Sequence, residues 1–498
     1  MTSIWQRLDP RMLAVTPLRQ LAGFLPVIAV VLLIGVQQGL GGRIYGLLVA
    51  VLVVVLAGVL RWLTTRYRVT NERVELRSGL LFRSARSVPR DRIRSVDVTA
   101  GPVHRLFGLS VVTIGTGQGN DGVESRELTL DAISATEADR MRRRLLDSVP
   151  AGYPEQPGVV AAPSPTTELA VLDWSWLRLA PLTTSSLVAI GAVGAAFVQL
   201  AGELGADVAD LSGVRERLSV APLWLGVAAF GGLVLVIALL GSMLIFVEAW
   251  WGFRLAREPG GTLRIRRGLL TTRSVSLEER RLRGVEVAEP LLLRAGRGAR
   301  TTAVATGLGG RRGHGRGVLL PPAPRAEAHR VSGVVLTEDP SPTRMTLRRH
   351  PLVARRRRLV RAVLPVLAGS MVLWLAPLPT WVAWATLGLL PVTVLLALDS
   401  YRNLGHALTS RYLVTRHGAG LRATVALQRC GVIGWTVSQS FFQRRAGLVT
   451  VTATTAAGGG AYRVIDVRAT DGLALAEHAV PGLLGPFLNH DVVAPPAH

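Results

Sequence analysis

The 498-residue chain contains no lysine, so every one of its 57 Lys-plus-Arg residues is arginine. A phosphate-binding P-loop requires a lysine after its glycines, so that motif is excluded. The single cysteine, Cys430, excludes an intrachain disulfide and a cysteine-based zinc site, and it fits domains on the reducing side of a membrane. The nine histidines are scattered without metal-ligand spacing. We therefore predict no cofactor, no metal and no catalytic residue, and expect that the protein is not an enzyme.

Polar residues are also scarce for a soluble protein of this length. The chain is 49% hydrophobic, its mean hydropathy is +0.36, and its net charge is +24. These values indicate a membrane protein. The arginine excess has two interpretations: contact with phosphate or anionic lipid, or codon bias in a GC-rich genome combined with retention of basic residues on one side of the membrane.

Charge is absent from three pairs of long apolar segments, each segment close to the ~20 residues that cross a bilayer. Residues 1–20 carry no cleavage site after a short apolar core, so we do not expect a cleaved signal peptide there. In the third pair, Pro377 and Pro379 split an uncharged run into two helices. The six predicted spans lie within residues 21–42, 44–60, 179–202, 218–247 and the two halves of 362–398.

Between the apolar pairs, the pattern changes to the period of two that is typical of β-strands. Residues 66–77 predict a hairpin about an Asn-Glu turn, strands follow in 88–98, 109–115 and 127–130, and a helix is predicted from Thr136 to Leu146. Met141, Leu145 and Leu146 lie on one face of that helix. The segment predicts a small β-sandwich or open barrel closed by a helix.

The best-defined β-rich stretch is 426–460: a short strand, a turn carrying Phe441 and Phe442, and a strand in 448–455 with alternating Val and Thr. Weaker copies occur twice earlier, and the tetrapeptide Pro-Ser-Pro-Thr recurs at 163–166 and 340–343. The predicted domains are 1–60 (N-terminal segment and hairpin 1), 61–149, 150–178 (linker), 179–250 (hairpin 2), 251–336, 337–358 (basic linker), 359–398 (hairpin 3) and 399–498 with the C-terminal tail.

Arginine placement predicts the orientation in the membrane. Residues 355–358 are four arginines directly before the fifth predicted span, whereas the 203–217 loop has an excess of acidic residues. Arg and Lys are retained on the cytoplasmic side, so both termini and all three β-rich domains are predicted to be cytoplasmic.

These features resemble the bacterial pleckstrin-homology-like membrane proteins of the YdbT type, with type 2 repeats. The resemblance rests on aromatic-led strands near helix exits, on Gly-Leu-Leu hairpins, and on the stretch Val-Pro-Arg-Asp-Arg-Ile-Arg-Ser-Val, with counterparts in each copy. The segments are 67–70, 251–255 and 412–415; 79–81 and 268–270; and 88–96, 281–285 and 431–435. The resemblance implies a multi-pass α-helical membrane protein with three cytoplasmic pleckstrin-homology-like β-barrel or sandwich domains, each with a C-terminal helix. In the second copy, a loop of Arg, Gly and His at 309–317 replaces a strand hairpin.

Several patterns suggest chemistry, and each has a simpler explanation. Residues 117–122 match a dinucleotide-binding glycine spacing, but a strand rather than a helix follows, so we interpret them as a hairpin loop. The acidic pairs Asp91 with Asp97 and Glu278 with Glu279 lie among arginines, which favours surface ion pairs over general acid and base.

One candidate site remains. Arg90, Arg92 and Arg94 alternate, which would place them on one strand face as a contact for anionic lipid headgroups; the alternative is a solvated face. The favoured function is an integral-membrane scaffold that binds membrane lipids, other membrane proteins or itself and serves in envelope homeostasis. The alternative is a transporter or lipid-handling protein that uses the six helices as a path. A nucleic-acid partner is not indicated, because aromatics are not interleaved with the arginines.

Overall fold

The computed structural model describes residues 5–15, 62–70, 72–79, 83–115, 128–146, 166–183, 223–307, 317–377 and 379–484, with single positions and short runs within 18–60 and 191–199. These residues form two compact units, each with a hydrophobic core. The first unit comprises Met1–Val171, Glu248–Arg281 and Thr306–Arg311. The second comprises Leu172–Val247, Leu282–Ala305 and Arg312–His498.

One order of elements occurs three times: three antiparallel strands, a 3-10 turn, a strand, a short helix, two strands and a closing helix. The first repeat, residues 66–146, follows the short strand β1 (Gln6–Arg7). Its elements are β2 (Arg66–Val69), β3 (Arg73–Ser78), β4 (Ser84–Pro89), a 3-10 turn (Arg90–Arg92), β5 (Ser95–Ala100), α1 (Pro102–Leu106), β6 (Leu109–Gly115), β7 (Leu128–Ser134) and α2 (Ala135–Leu146).

The second repeat, residues 254–336, follows β8 (Thr167–Val171), a 3-10 segment (Trp174–Leu182) and α3 (Leu223–Trp250). Its elements are β9 (Arg254–Glu258), β10 (Thr262–Arg267), β11 (Thr272–Glu278), a 3-10 turn (Glu279–Arg281), β12 (Leu282–Pro290), α4 (Leu291–Ala295), β13 (Gly298–Ala305), β14 (Val318–Pro324) and α5 (Arg325–Leu336). Strands β13 and β14 pair antiparallel on either side of the Arg- and Gly-rich loop, so this copy retains the strand hairpin that its sequence predicted to be lost.

The third repeat, residues 405–479, lies in the second unit. It follows a 3-10 turn (Pro342–Arg344), α6 (Leu352–Leu375), α7 (Thr380–Leu387) and α8 (Leu390–Arg402). Its elements are β15 (Gly405–Leu408), β16 (Tyr412–His417), β17 (Leu421–Gln428), a 3-10 turn (Arg429–Gly431), β18 (Gly434–Ser438), α9 (Phe441–Arg445), β19 (Leu448–Thr454), β20 (Ala461–Arg468) and α10 (Ala469–Ala479).

The last sheet of one repeat continues into the first sheet of the next. The seven-stranded sheet of the first unit has the order β7-β6-β5-β11-β10-β9-β8, and the six-stranded sheet of the second unit has the order β14-β13-β12-β17-β16-β15. We call the antiparallel β5–β11 and β12–β17 pairings the seams; Val98 pairs with Ser274 across the first, and Val287 with Thr424 across the second. The second repeat therefore contributes β9–β11 to the first unit and β12–β14 to the second.

Alternating apolar side chains build the core of the first unit. Val112 and Ile114, two residues apart on β6, are both fully buried, as the period of a strand requires. Helix α2 covers them with Met141 and Leu145, which confirms these two residues of the predicted apolar face.

Three stretches of helix among the described residues are long and apolar enough to cross a membrane: Gly231–Trp250 within α3, Leu352–Leu375 (α6), and Thr380–Arg402, which covers α7 and α8. The break after α6 includes Pro377 and Pro379, as predicted. The basic run at 355–358 lies within the first turns of α6 rather than before the helix. The predicted span at 21–42 lies outside the described residues, and those at 44–60 and 179–202 lie mostly outside them. Residues 179–182 belong to the 3-10 segment (Trp174–Leu182) rather than to a span.

The strand predicted through 88–98 is wrong. β4 ends at Pro89, whose φ of −60° begins the 3-10 turn, and the N–H of Arg90 donates to the carbonyl of Glu72 at 2.8 Å. Val88 and Ile93 are both buried, and an interval of five residues cannot place both on one face of a strand. The turn resolves this conflict. Arg90, Arg92 and Arg94 therefore do not share a strand face.

The third repeat brings two further corrections. Phe441 and Phe442 begin helix α9 rather than lying in a turn, because Ser440 and Gln443 form a capping box in which each side chain accepts the backbone N–H of the other. The predicted aromatic-led strand at 412–415 does not directly follow a helix. Tyr412 begins β16, the second strand of its repeat, and the strand that follows helix α8 is β15, which carries His406.

Candidate functional site

A cavity of about 930 Å³ lies in the second unit, where helices α6 and α8 face the sheet β18-β19-β20. We call it the juxtamembrane cavity, because one wall consists of residues near the ends of two membrane-length helices. Its walls differ in chemistry: one is a hydroxyl-bearing sheet face, one is apolar helix, and arginines line the helix and sheet walls.

The sheet wall follows from the alternation of Val and Thr in β19. Val449 and Val451 point into the core, so Thr450 and Thr452 point to the opposite face and line the cavity. The neighbouring strand extends this face, because Thr436 on β18 pairs with Thr452. Each hydroxyl can both donate and accept a hydrogen bond, so the wall can bind phosphate or glycerol oxygens.

A fully buried carboxylate holds helix α6 against the sheet. Asp466 of β20 forms ion pairs with Arg357 and Arg358, the latter through Nε at 3.1 Å from Oδ2. Gln443 of α9 donates to Oδ1 of Asp466 at 3.0 Å. We call these four residues the Asp466 cluster. The two guanidinium groups neutralise a charge that would otherwise be costly to bury.

Two other arginines reach the cavity, and neither pairs with a carboxylate in the part of the chain that the structure describes. Arg361 lies one turn after Arg357 on the same face of α6, and Arg463 projects from β20; both are exposed. Four arginines and one aspartate give the cavity lining a net charge of +3. The site therefore favours an anionic ligand.

The helix wall carries apolar as well as polar side chains. Ala362 of α6 and Leu396 and Ala397 of α8 line the cavity beside the arginines. Arg358 also donates to Ser400 of α8, which fixes the two helices side by side at this level. A ligand with a charged head and an apolar tail matches these walls, as a phospholipid does.

Two buried histidines lie beside the Asp466 cluster. His350 Nδ1 lies 3.2 Å from the backbone oxygen of Asp466, and its Nε2 lies 3.0 Å from Nδ1 of His406. A carbonyl only accepts, so His350 donates through Nδ1 and its Nε2 accepts from the Nδ1–H of His406. Burial lowers the pKa of His350 and lowers the pKa of His406 to about 4. Both rings are neutral at pH 7.

The predicted site residues lie elsewhere and are not brought together. Arg90 is half-buried, and its Nε has no hydrogen-bond partner among the described residues. Arg92 is exposed in the 3-10 turn, and the stem of Arg94 packs against Gly307. None of the three lines the juxtamembrane cavity.

The predicted acidic pair Glu278 and Glu279 lies among arginines. Glu278 accepts from Arg280 and Arg281, each at 2.7 Å, which lowers the pKa of Glu278, and Glu279 pairs with Arg257. Both members of this pair are thus in ion pairs, as predicted, but Glu278 is buried rather than at the surface. Residues 117–122 lie outside the described residues. In the part of the chain that the structure describes, no group of three or more His, Cys, Asp or Glu side chains could hold a metal ion.

The sequence contained two signals for the cavity that the predictions did not use. The alternation of Val and Thr in 448–455 marks a strand with a hydroxyl face, and Arg357 and Arg361 have the four-residue spacing of one helix face. Asp466 gave no local signal, because its importance arises from partners about a hundred residues away.

Comparisons with known proteins found matches over large parts of the chain. A family model described as a bacterial PH domain matches residues 17–149 and 359–478. The chain is 24% identical over 420 residues to a protein described as UPF0699 transmembrane protein YdbT of Bacillus subtilis (strain 168), which covers 80% of this chain and 81% of that protein. No solved structure matches the chain. The relative's description as a transmembrane protein agrees with the membrane class that the composition indicates.

Proposed function

The chain belongs to the bacterial PH domain family, and on that premise we propose that it is a membrane protein that binds the headgroup of an anionic phospholipid in the juxtamembrane cavity. The observation that carries the proposal is the meeting, in one cavity, of unpaired basic charge, a hydroxyl face and apolar helix surface. A soluble anion would use the first two features only. A phospholipid uses all three.

Arg361 and Arg463 are the residues that we assign to the phosphate. Arg357 and Arg358 already neutralise Asp466, whereas Arg361 and Arg463 leave their charge directed to the cavity. A guanidinium group suits this role, because its planar set of N–H donors matches phosphate oxygens. Thr450 and Thr452 would contact the remaining headgroup oxygens.

The wider proposal is a scaffold in which the three repeats, assigned to domains 61–149, 251–336 and 399–498, present surfaces to membrane proteins or to a second copy of the chain. The seams support this role, because continuous sheets hold successive repeats in a fixed order within each unit. We propose six spans with both termini cytoplasmic. Labelling of cysteines introduced in the 203–217 loop from outside intact cells would measure that orientation. We propose no catalytic role.

The cavity is tested with the full chain in nanodiscs. Replacing Arg361 and Arg463 together with Gln should weaken retention of phosphatidylglycerol about thirtyfold, since each arginine near an anionic headgroup contributes roughly 1 kcal/mol. Native mass spectrometry of the purified protein with titrated phosphatidylglycerol measures the change. Arg468→Gln is the matched control, because Arg468 is an exposed arginine at the end of the same strand and does not line the cavity.

Two further measurements separate a lipid from a free anion. Phosphatidylcholine should bind far more weakly than phosphatidylglycerol, and glycerol phosphate, which lacks the acyl chains, should not compete. Equal retention of phosphatidylglycerol by the wild type and the double variant would overturn the proposal. Full competition by glycerol phosphate would instead assign the cavity to a soluble anion.

A further inference from the structure

The short helices α1, α4 and α9 occupy the same place in each repeat and share a pattern. In all three, the third residue is buried against the repeat and the fourth is arginine. The buried residues are His104, Leu293 and Gln443, and the arginines are Arg105, Arg294 and Arg444. One side of each helix therefore packs against its repeat, and the residues on the other side remain exposed.

The other side presents large apolar side chains. Phe441 is 66% exposed and Phe442 is 71% exposed, and their rings pack edge to face with centroids 5.6 Å apart. Leu106 at the end of α1 is 78% exposed, and Leu291 and Leu292 at the start of α4 are also exposed. Exposed apolar residues of this size, at the first two positions of α4 and α9 and at the last position of α1, indicate a contact surface.

In the second unit, both short helices are held at the ends of membrane-length helices. Ser440, the N-cap of α9, accepts a hydrogen bond from Arg357 in the basic first turns of α6, at 3.4 Å. Arg294 of α4 donates to Asp399 in the last turn of α8 at 2.7 Å. Both contacts lie where the charged end of a membrane helix meets its apolar stretch.

In the first unit, helix α1 is connected to the end of a membrane-length helix through one intermediate residue, Leu269. Arg105 of α1 donates to the carbonyl of Leu269, and the N–H of Leu269 donates to the carbonyl of Glu248 at 2.9 Å. Glu248 lies in the last turn of α3, the helix whose apolar stretch is Gly231–Trp250. Each short helix thus lies at the end of a membrane-length helix.

From this placement we propose that α1, α4 and α9 insert their exposed apolar side chains into the headgroup region of the adjacent leaflet and so anchor each repeat to the membrane surface. Apolar tips suit this depth, because their side chains enter the acyl boundary, and at α9 the exposed Arg444 can stay among the phosphates. Lipid is the favoured occupant over a partner protein, because all three tips lie at membrane-helix ends. This inference does not depend on a ligand in the juxtamembrane cavity.

The lone cysteine makes a direct test possible. On a Cys430→Ser background, the variants Phe442→Cys, Leu106→Cys and Leu292→Cys are each labelled with the fluorophore NBD, and the full chain is reconstituted in vesicles of phosphatidylglycerol and phosphatidylcholine. Each probe should show blue-shifted emission, and doxyl groups placed near the headgroup should quench it more strongly than doxyl groups placed mid-chain.

Two control positions give the probe emission and quenching expected inside the bilayer and in water. Met371→Cys lies on the exposed surface of α6 within its apolar stretch and should be quenched best by mid-chain doxyl. Ala474→Cys is an exposed position on α10, the helix that covers the core side of the sheet opposite the cavity, and should emit as in water. Water-like emission without quenching at a tip position, while the Met371→Cys probe is quenched, would overturn the insertion of that helix. A blue shift without quenching by either doxyl lipid would assign the tip to a protein contact and overturn it as well.

Discussion

Replacing Asp466 with Asn removes one negative charge from the Asp466 cluster and leaves the volume of the side chain unchanged. The backbone at this position has a φ of 58°, in the left-handed region that asparagine tolerates as well as aspartate does. The Asn amide can still contact Gln443 and an arginine. The perturbation is therefore confined to the charge that neutralises Arg357 and Arg358.

Both guanidinium groups are largely buried, so the loss of their carboxylate is expensive. Breaking a buried ion pair by removing one partner costs about 3–5 kcal/mol. Ser400 and Ser440 each accept from one of the two arginines, which places the expected loss for Asp466→Asn near the lower limit, about 3 kcal/mol. The loss falls on the packing of α6 against the third repeat.

The assay is a denaturant titration of the full chain in a neutral detergent, which measures the free energy of unfolding of each variant. Glu338→Gln is the control, because Glu338 pairs with exposed Arg411 at 3.0 Å and such surface pairs contribute about 0–1 kcal/mol. Phosphatidylglycerol should then stabilise Asp466→Asn more than the wild type, because a lipid phosphate can replace the missing carboxylate beside Arg357 and Arg358.

Two results would refute this reasoning. If Asp466→Asn were no less stable than Glu338→Gln, the carboxylate would not be the charge that holds α6 to the sheet. If phosphatidylglycerol stabilised Asp466→Asn and the wild type equally, the lipid phosphate would not reach the buried arginines, and only Arg361 and Arg463 would remain as its contacts.

Two other predictions concern protonation and packing. Because burial lowers the pKa of His406 to about 4 while the unfolded residue titrates near 6.5, the free energy of unfolding should fall as the pH drops below 6.5, by about 2 kcal/mol at pH 5. His406→Asn, which keeps a donor toward His350, should flatten that dependence in melting curves between pH 5 and 7.5. At the second seam, a Cβ on Gly284 would overlap the carbonyl oxygen of Ala426, so Gly284→Ala should cost about 1–3 kcal/mol in denaturant titration. Gly434→Ala, where no atom lies within 4 Å, should cost less than 1 kcal/mol, and equal losses would contradict the seam packing.

The recurring elements could be predicted because their signals are local. The Val and Thr alternation gave the strand β19 (Leu448–Thr454), and the spacing of Met141 and Leu145 gave the buried face of α2. The error at Arg90, Arg92 and Arg94 has a physical cause: alternation alone extended a strand past Pro89, although two buried residues five positions apart require a turn.

The cavity and the seams could not be predicted by such means. Asp466 lies 109 residues from Arg357, and nothing near Asp466 in the sequence identifies that partner. Nothing in the sequence of β5 identifies β11 as its partner either, because backbone hydrogen bonds form between any two strands with a compatible twist and side-chain pattern. Local patterns specify elements, whereas the partners of those elements depend on the whole fold.

The first seam has a consequence for synthesis of the protein. Ala100 on β5 meets Thr272 on β11, 172 residues later in the chain, and the membrane-length stretch Gly231–Trp250 must be made in between. At about 5–20 residues per second, the ribosome needs roughly 10–30 s to deliver the partner strand. Throughout that interval the nascent first repeat carries an open strand edge, the kind of surface that chaperones shield and that mispairs with neighbouring chains. A chain truncated before β11 would keep that edge open permanently, so aggregation of such fragments in the cell would arise from a missing strand rather than from a weak core.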